Sequence, residues 1–317
     1  MAPRTPRITE PMKYLSTVAA SVLVLAISAT VGKNSAGKGQ PIEVGVVEWG
    51  RDFDTSLAAA KRSGKPVLLL FQEVPGCAGC KKFGGDVLSH PLLAEAIEDE
   101  FVPMLVHNNT GGGADAEILK RYQEPAWNYQ VIRFLDPAGE DLIPRRDRVW
   151  TLEGVAARMI AALEAAGREV PTYLRGLAPE GETAEIAFAM SCFWTGECEL
   201  GKIDGVISTE AGWLDGREVT RVRYVPGTVD IKELTEQASA AKCADRVYPV
   251  PGKDYKKAKA SDQAHQVRNL DLDSIPGLTE LQLTKLNALL RTEPKLAMSW
   301  LSPRQQQALI ASLGKKP

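Results

Sequence analysis

The chain has 317 residues, a formal net charge of −2, 44% hydrophobic residues and 25% charged residues. Its length predicts about two domains of ordinary size. The balanced charge excludes a strongly basic protein that would recruit nucleic acid. The five cysteines form no regular framework, which argues against a disulfide-stapled scaffold and favours thiol chemistry.

The first 40 residues have the layout of an export signal. Arg4, Arg7 and Lys13 precede an uncharged stretch over 14–31 that is rich in Leu, Val and Ala. Because about 20 apolar residues span a bilayer, the stretch is also suited to remain as a membrane anchor. We therefore expect residues 1–40 to be a signal peptide or anchor, and the protein to be exported, in the periplasm or anchored with its domains facing the periplasmic or extracellular side.

Residues 41–175 are predicted to form a first domain of alternating strands and helices. The apolar run over 66–71 indicates a strand buried on both faces at the centre of a sheet. Periodicity predicts a further strand over 44–49 and a helix over 52–64. The remaining predicted elements of this domain are a helix over 90–100, a strand over 101–107, a helix over 115–122 and a strand over 131–135.

A C-x-x-C pair, Cys77 and Cys80, follows the predicted central strand in the segment VPGCAGC. Cys77 is expected at the amino terminus of a helix, where the helix dipole, Lys81 and Lys82 favour a thiolate. Such a pair can pass two electrons as a disulfide. We therefore predict a redox-active dithiol.

The alternatives for this pair are two inert structural thiols or half of a zinc site. A closed zinc site needs four ligands, and only His90 or His107 stands near enough in the sequence to join the cysteines. We therefore expect no metal and no cofactor.

The order of elements and the position of the C-x-x-C pair resemble the thioredoxin fold over residues 44–167. The VPGCAGC segment also looks like a thioredoxin-like family of exported proteins in which selenocysteine can replace the first cysteine. Two positions differ from thioredoxins: Gly76 stands where tryptophan is usual, and Tyr129-Gln130 stands where a cis-proline precedes the strand that faces the pair. The resemblance implies dithiol chemistry with a different docking surface for the substrate.

Residues 182–260 are predicted to form a second domain after a linker rich in Gly and Pro over 171–181. Alternating apolar residues predict a strand that ends at Ser191, and a helix begins at Cys192. Two further strands, over 206–214 and 218–225, are joined by a tight hairpin. Leucine-rich segments predict a helical C-terminal extension over 261–317, in which Ser302-Pro303 starts a helix.

Glu218 shares the apolar face of its predicted strand with Thr220, Val222 and Tyr224. Burial disfavours the charged form of a carboxylate. An inward carboxyl that keeps its proton is suited to act as a general acid for an oxygen leaving group.

Three segments, FAMSCFWTGE, GVISTEAGW and REVTRVRYVP, resemble the peptide methionine-S-sulfoxide reductases with their GCFW, VGY and ExVxVxYDP motifs. The resemblance covers about residues 184–241 and implies a ferredoxin-like α+β fold. By position it implies Cys192 as the nucleophile, Phe193 and Trp194 as the pocket for the sulfoxide methyl group, Trp213 in place of a tyrosine that helps hold the oxygen, and Glu218 as the proton donor.

The implied chemistry needs a second thiol to condense with the sulfenic acid of the nucleophile. Cys198 lies six residues beyond Cys192, about 9 Å along a straight helix, which is too far for a disulfide. Cys243, just past a helix predicted over 231–241, is the preferred candidate. Direct attack by Cys77 or Cys80 is the third alternative.

The sequence thus predicts a thioredoxin-like α/β domain followed by a reductase-like α+β domain. The expected function is reduction of methionine-S-sulfoxide in peptides or proteins, with the fused dithiol as reductant and a further thiol donor upstream of it. The alternatives are a general dithiol–disulfide oxidoreductase, or a redox-sensing or binding protein of the cell envelope whose second module is not catalytic. Loss of Glu218 would distinguish these functions, because only sulfoxide reduction requires an acid at this position.

Overall fold

The computed structural model of the protein describes residues 39–125, 130–178, 181–241, 244–248 and 254–313. The chain divides into two units. The first unit ends at Glu180 and also includes Pro276–Thr279, and the second comprises Gly181–Ile275 and the residues from Glu280 onward.

Two predicted features fall outside the described residues: the export segment over 1–38 and the candidate resolving thiol Cys243. Among the helices of the described ranges, none has the length and apolar character needed to span a bilayer.

The centre of the first unit is a three-stranded sheet of β1 (Val67–Gln72), β2 (Val102–His107) and β3 (Val131–Leu135). β1 lies between the other two, parallel to β2 and antiparallel to β3. Every residue of β1 is buried, as its unbroken apolar run predicts.

Helices cover both faces of this sheet. α1 and α4 pack on the face that carries Leu69 and Phe71, whereas α3 and α5 pack on the face of Leu68 and Leu70. The short helix α2 follows β1 and carries the C-x-x-C pair. The helices of this unit are α1 (Phe53–Ser63), α2 (Ala78–Phe83), α3 (Pro91–Glu100), α4 (Gly113–Tyr122), α5 (Leu152–Ala165) and α6 (Thr172–Arg175).

The predicted strand over 44–49 is wrong. Ile42–Val44 form a 3-10 turn instead, and Gly45 follows it with φ 64°. A positive φ is open to glycine but interrupts an extended strand. The chain first bridges to the sheet at Gly50, opposite Met104 of β2.

The second unit contains a five-stranded antiparallel sheet in the order β7-β4-β6-β5-β8. The predicted tight hairpin joins β5 to β6. The strands are β4 (Ala184–Met190), β5 (Val206–Leu214), β6 (Arg217–Tyr224), β7 (Ala244–Tyr248) and β8 (Lys256–Lys257).

Two helices, α7 (Phe193–Gly201) and α8 (Ile231–Ala240), connect these strands in the order β4-α7-β5-β6-α8-β7. The order β7-β4-β6-β5 with all neighbours antiparallel is the split βαβ, ferredoxin-like topology. Residues of both helices and of one sheet face form the core. They are Ile186, Phe188, Met190, Leu200, Val222, Tyr224, Leu234 and Ala238.

Three C-terminal helices, α9 (Glu280–Leu289), α10 (Pro294–Ser299) and α11 (Pro303–Leu313), form the predicted extension. α11 begins at the expected Ser302-Pro303 step. α9 packs against α7 and β5, so the extension is part of the second unit.

Lys285 of α9 links this extension to α7. Its side chain is 2% exposed, and Nζ donates to the carbonyl oxygens of Gly201 at 3.0 Å and Ile203 at 2.8 Å. Burial lowers the pKa of Lys285 to about 8, although Asp204 opposes this effect. The ammonium donates to carbonyls at and just beyond the end of α7, of which that of Ile203 also accepts the N–H of Val206, and its charge complements the helix dipole.

We predict that Lys285→Met lowers the free energy of unfolding of the second unit by about 3 kcal/mol, because buried carbonyls lose their donor while the side-chain volume is kept. Urea denaturation followed by tryptophan fluorescence measures the change. Lys295→Met is the matched control, because Lys295 is exposed on α10. Equal stability of the two variants would show that the Lys285 contacts do not hold the extension.

Candidate functional sites

The first site is the pair Cys77 and Cys80 at the start of α2. Cys77 is the N-cap of the helix and is exposed, whereas Cys80 lies one turn further and is fully buried. Their Sγ atoms are 3.6 Å apart, within reach of a thiol hydrogen bond. The structure thus brings the predicted dithiol together in its reduced form.

The two thiols have opposite pKa shifts. The pKa of Cys77 lies below its ordinary value, mainly because the backbone N–H of Cys80 donates to its sulfur, with a smaller contribution from Gly79. Burial raises the pKa of Cys80 to about 12. Since the thiolate is the reactive form, these shifts favour the exposed Cys77 thiol over the buried Cys80 thiol for nucleophilic attack.

Two side-chain oxygen atoms lie near the buried Cys80 sulfur. Glu73 Oε2 lies 3.8 Å from Cys80 Sγ, and Gln130 Oε1 lies 3.9 Å from it. Neither residue belongs to the predicted site. Gln130 occupies the place where thioredoxins have the cis-proline. This difference from thioredoxins was the one signal in the sequence that Gln130 has a role at the dithiol.

Gly76 is required by the close approach of the loop to the helix. A Cβ atom at this position would lie 2.5 Å from the carbonyl oxygen of Glu73 and 2.6 Å from Cys80 Cβ. The backbone N–H of Gly76 donates to Glu43 Oε1 at 2.9 Å. The tight turn therefore has no room for the tryptophan that is usual before the first cysteine.

The second site is the amino terminus of α7, where Cys192 is the half-buried N-cap. The backbone N–H of Phe193 donates to Glu218 Oε2 at 2.8 Å. Thr220 Oγ1 donates to the carbonyl oxygen of Phe193 at 3.1 Å. Two residues from one face of β6 therefore hold the first turn of α7, and the half-buried Glu218 is hydrogen-bonded to the residue that follows the cysteine.

Aromatic rings lie next to this carboxyl. Phe193 is edge-to-face with Trp213 at a centroid distance of 5.8 Å, and Trp213 is the cross-strand partner of Glu218. Phe193 is buried, whereas Trp213 is 42% exposed. The structure thus groups Trp194, Trp213 and Glu218 around Phe193, the residue that follows Cys192 in the chain.

Trp194 is engaged by the segment that follows β8. Its indole Nε1–H donates to the carbonyl oxygen of Asp262 at 3.0 Å, and its ring stacks on His265 at 3.7 Å. Burial lowers the pKa of His265, and Arg268 and Arg291 act in the same direction. The segment over 260–266 therefore fixes the orientation of Trp194, which the sequence motif leaves open.

Glu197 is a buried acid beneath this site that sequence reasoning did not assign. It lies one helical turn after Phe193 and is 1% exposed. Oε1 accepts from the backbone N–H of Ala264 at 3.2 Å, while Oε2 has no hydrogen-bond partner among the described residues. Burial raises the pKa of Glu197 to about 7, an effect that backbone donors of Ala264 and His265 oppose and Glu210 reinforces. Its i+4 spacing from Phe193 was the signal available in the sequence.

The Cys198 thiol contacts the C-terminal extension. Its Sγ is 3.7 Å from the carbonyl oxygen of Asn287 in α9. Burial raises the pKa of Cys198 to about 11, which keeps the thiol protonated. The assignment of a resolving thiol to Cys198 or to the undescribed Cys243 stays a prediction.

Comparison with known proteins identifies the first unit. A family model described as thioredoxin-like matches residues 48–137. A solved structure titled DsbH oxidoreductase is 18% identical and aligns with 44% of this chain and 96% of its own length, at a TM-score of 0.33, which is too low to carry an argument. No curated protein matches the chain. Residues 48–137 therefore form a thioredoxin-like domain that contains the paired thiols, and the family match ends well before the second unit.

We predict that Glu197 makes the stability of the second unit depend on pH. Its pKa is about 7 in the folded protein and about 4.3 in an unfolded chain, so the folded state binds more protons between these values. The stabilisation is complete below pH ~4 and is lost as the pH rises through ~7. Between pH 5 and pH 8 the wild type should therefore lose about 2 to 3 kcal/mol more than Glu197→Gln does.

Urea denaturation at both pH values tests this expectation. The control is Glu182→Gln, which removes an exposed carboxylate from the same unit and should keep the wild-type slope. Parallel pH profiles for wild type and Glu197→Gln would show that Glu197 does not titrate in this range.

Proposed function

We propose that the protein is a thiol–disulfide oxidoreductase in which Cys77 and Cys80 form the redox pair. The observation that carries the proposal is the asymmetry of the two sulfurs, 3.6 Å apart, one exposed at a helix N-cap and the other buried. A low pKa and access to solvent suit Cys77 for attack on a substrate. The thioredoxin-like family match over residues 48–137 agrees with this chemistry.

Thiol–disulfide exchange with a substrate proceeds in two steps. The Cys77 thiolate attacks one sulfur of a substrate disulfide, which breaks the S–S bond and releases the other sulfur as a thiolate. Cys80 then loses its proton and attacks Cys77 Sγ, so the intramolecular disulfide forms and the second substrate sulfur leaves. The substrate gains two electrons, and the pair is oxidised.

The test is to trap the intermediate. Cys80→Ser should accumulate a mixed disulfide through Cys77 when the reduced protein meets oxidised glutathione, because the resolving thiol is gone. Cys77→Ser should form no such adduct at this site, since Cys80 is buried and protonated. Mass spectrometry of tryptic peptides measures both, and insulin reduction should fall at least about 100-fold in either variant. An adduct on Cys80 in Cys77→Ser, or undiminished insulin reduction, would contradict the proposal.

We further propose that the second unit reduces methionine-S-sulfoxide in peptides or proteins, and that the first unit serves as its reductant. The supporting observation is the Glu218 carboxyl, which accepts the N–H of the residue next to Cys192. This contact keeps an acid beside the cysteine, with the ring of Phe193 and the partly exposed Trp213 as apolar surface for a methyl group.

In the proposed reaction the Cys192 thiolate attacks the sulfoxide sulfur while Glu218 gives its proton to the oxygen. The oxygen leaves the substrate sulfur as a hydroxyl group and bonds to Cys192 Sγ, while the bond between the two sulfurs breaks. The substrate, reduced by two electrons, leaves as a thioether, and Cys192 becomes a sulfenic acid. A thiol then condenses with the sulfenic acid, with loss of water, to form a disulfide. Cys243, Cys198, Cys77 and Cys80 remain the candidates for that thiol.

A dithiol in the same chain would meet the oxidised cysteine at an effective concentration in the millimolar range. The Cys77–Cys80 disulfide formed in this way would need an upstream thiol donor. We also propose that the protein is exported, on the sequence pattern of residues 1–40 alone.

Glu218→Gln separates proton donation from positioning, because the amide oxygen can still accept the Phe193 N–H. With dithiothreitol and a peptide that carries the S-epimer of methionine sulfoxide, Cys192→Ser should abolish turnover. Glu218→Gln should lower kcat by about 10² to 10⁴. Glu236→Gln, which removes an exposed carboxylate of α8, is the control for the change in charge.

Absence of turnover with either epimer, or turnover that survives in Cys192→Ser, would reject sulfoxide reduction. The second unit would then act as a binding or redox-sensing module beside a general dithiol oxidoreductase. In that case Glu218→Gln should leave its function largely intact.

A further inference from the structure

Three potential metal-ligand atoms lie around the buried Cys80 sulfur at nearly equal distances. From Cys80 Sγ the distances are 3.6 Å to Cys77 Sγ, 3.8 Å to Glu73 Oε2 and 3.9 Å to Gln130 Oε1. Potential ligand atoms of Glu73, Cys77 and Cys80 all lie within 4.8 Å of one another. The cluster holds two thiols, one carboxylate and one amide oxygen.

These distances are close to the edges of a tetrahedral zinc site. With Zn–S bonds of about 2.3 Å and Zn–O bonds of about 2.1 Å, tetrahedral angles place two sulfurs about 3.8 Å apart and a sulfur and an oxygen about 3.6 Å apart. The observed distances differ from these values by a few tenths of an ångström. The three distances from Cys80 Sγ therefore suit a shared metal ion, and ligand atoms of Cys77 and Glu73 lie within 4.8 Å of each other.

We propose that the reduced Cys77–Cys80 pair binds Zn²⁺ through both sulfurs and Glu73 Oε2, with Gln130 Oε1 or a water molecule as the fourth ligand. Two thiolates select a borderline or soft metal over Mg²⁺ and Ca²⁺, which take oxygen ligands. The two oxygen donors and the tetrahedral spacing select Zn²⁺ over metals with other geometries.

The site is open on one side, because Cys77 is exposed while Cys80, Glu73 and Gln130 are less accessible. An incoming ligand can therefore reach the metal from solvent, and the ion can exchange. The exposure of Cys77 distinguishes the cluster from a structural zinc site whose ligands are all buried.

Bound zinc and the Cys77–Cys80 disulfide exclude each other, because both use the same two sulfurs. Binding converts two thiols and Zn²⁺ into a dithiolate complex and releases two protons. A substrate disulfide that oxidises the complex takes up two electrons and two protons, leaves as two thiols, and releases Zn²⁺ with formation of the Cys77–Cys80 disulfide. The ion would thus protect the reduced pair and leave when the pair is oxidised. This consequence rests on the proposed dithiol function, whereas the binding itself does not.

The test is a zinc titration of the reduced full-length protein in competition with a chromophoric chelator. The wild type should bind one Zn²⁺ more than the Cys77→Ser/Cys80→Ser double variant. The double variant keeps the other three cysteines and therefore measures any zinc that they bind. Glu73→Gln should weaken this binding by at least about tenfold, since even partners of zinc ligands affect affinity by this much. Asp86→Asn, which removes an exposed carboxylate near the same helix, should bind as the wild type does.

Co²⁺ substitution in the wild type is the second measurement and depends on no variant. Intense sulfur-to-cobalt charge-transfer bands together with the absorption of tetrahedral Co²⁺ support the site. Zinc uptake equal to that of the double variant, wild-type affinity in Glu73→Gln, or an octahedral cobalt spectrum would each overturn it. The glutathione-adduct assay in the presence of a chelator reports the dithiol function separately, so either proposal can fail while the other stands.

Discussion

Both thiol sites depend on one constraint, the orphan N–H groups at the start of a helix that follows a buried strand. In the first unit α2 begins at Cys77 after β1, and the backbone N–H of Cys80 serves the Cys77 sulfur. In the second unit α7 begins at Cys192 after β4, but the N–H of Phe193 serves the carboxylate of Glu218. The same backbone groups therefore favour a thiolate in one unit and position a carboxyl group in the other.

A buried ionisable group lies one turn behind each helix start. Burial raises the pKa of Cys80 to about 12 and that of Glu197 to about 7. In both cases the low-dielectric interior disfavours the charged form. Cys80 therefore keeps its proton at neutral pH, which defines the order of events in the proposed thiol exchange, whereas Glu197 titrates near pH 7.

Buried polar contacts also join distant parts of the second unit. Lys285 donates to carbonyls at the end of α7, and the segment over 260–266 holds Trp194 and Glu197 through backbone atoms. The two ends of α7 are therefore anchored by residues that come much later in the chain. The C-terminal helices consequently support the helix that carries Cys192.

The sequence by itself determined the elements with strong local signals. The sequence predicted the buried strand β1, the helix α1, the hairpin between β5 and β6 and the start of α11 at Pro303. These follow from periodicity, turn chemistry and the preference for proline at a helix start. It also placed both cysteine sites at helix starts. The strand expected over 44–49 failed because the backbone turn at Gly45 outweighed the alternation of valines.

Only the tertiary structure decided which side chains surround these cysteines. Glu73 and Gln130 meet at Cys80 because β1 and β3 are neighbours in the sheet, although the two residues are far apart in the chain. Ala264 and His265 likewise reach α7 from a segment about 70 residues beyond it. Local propensity depends on neighbours along the chain, whereas the protonation state and ligands of a thiol depend on atoms that folding brings within a few ångströms.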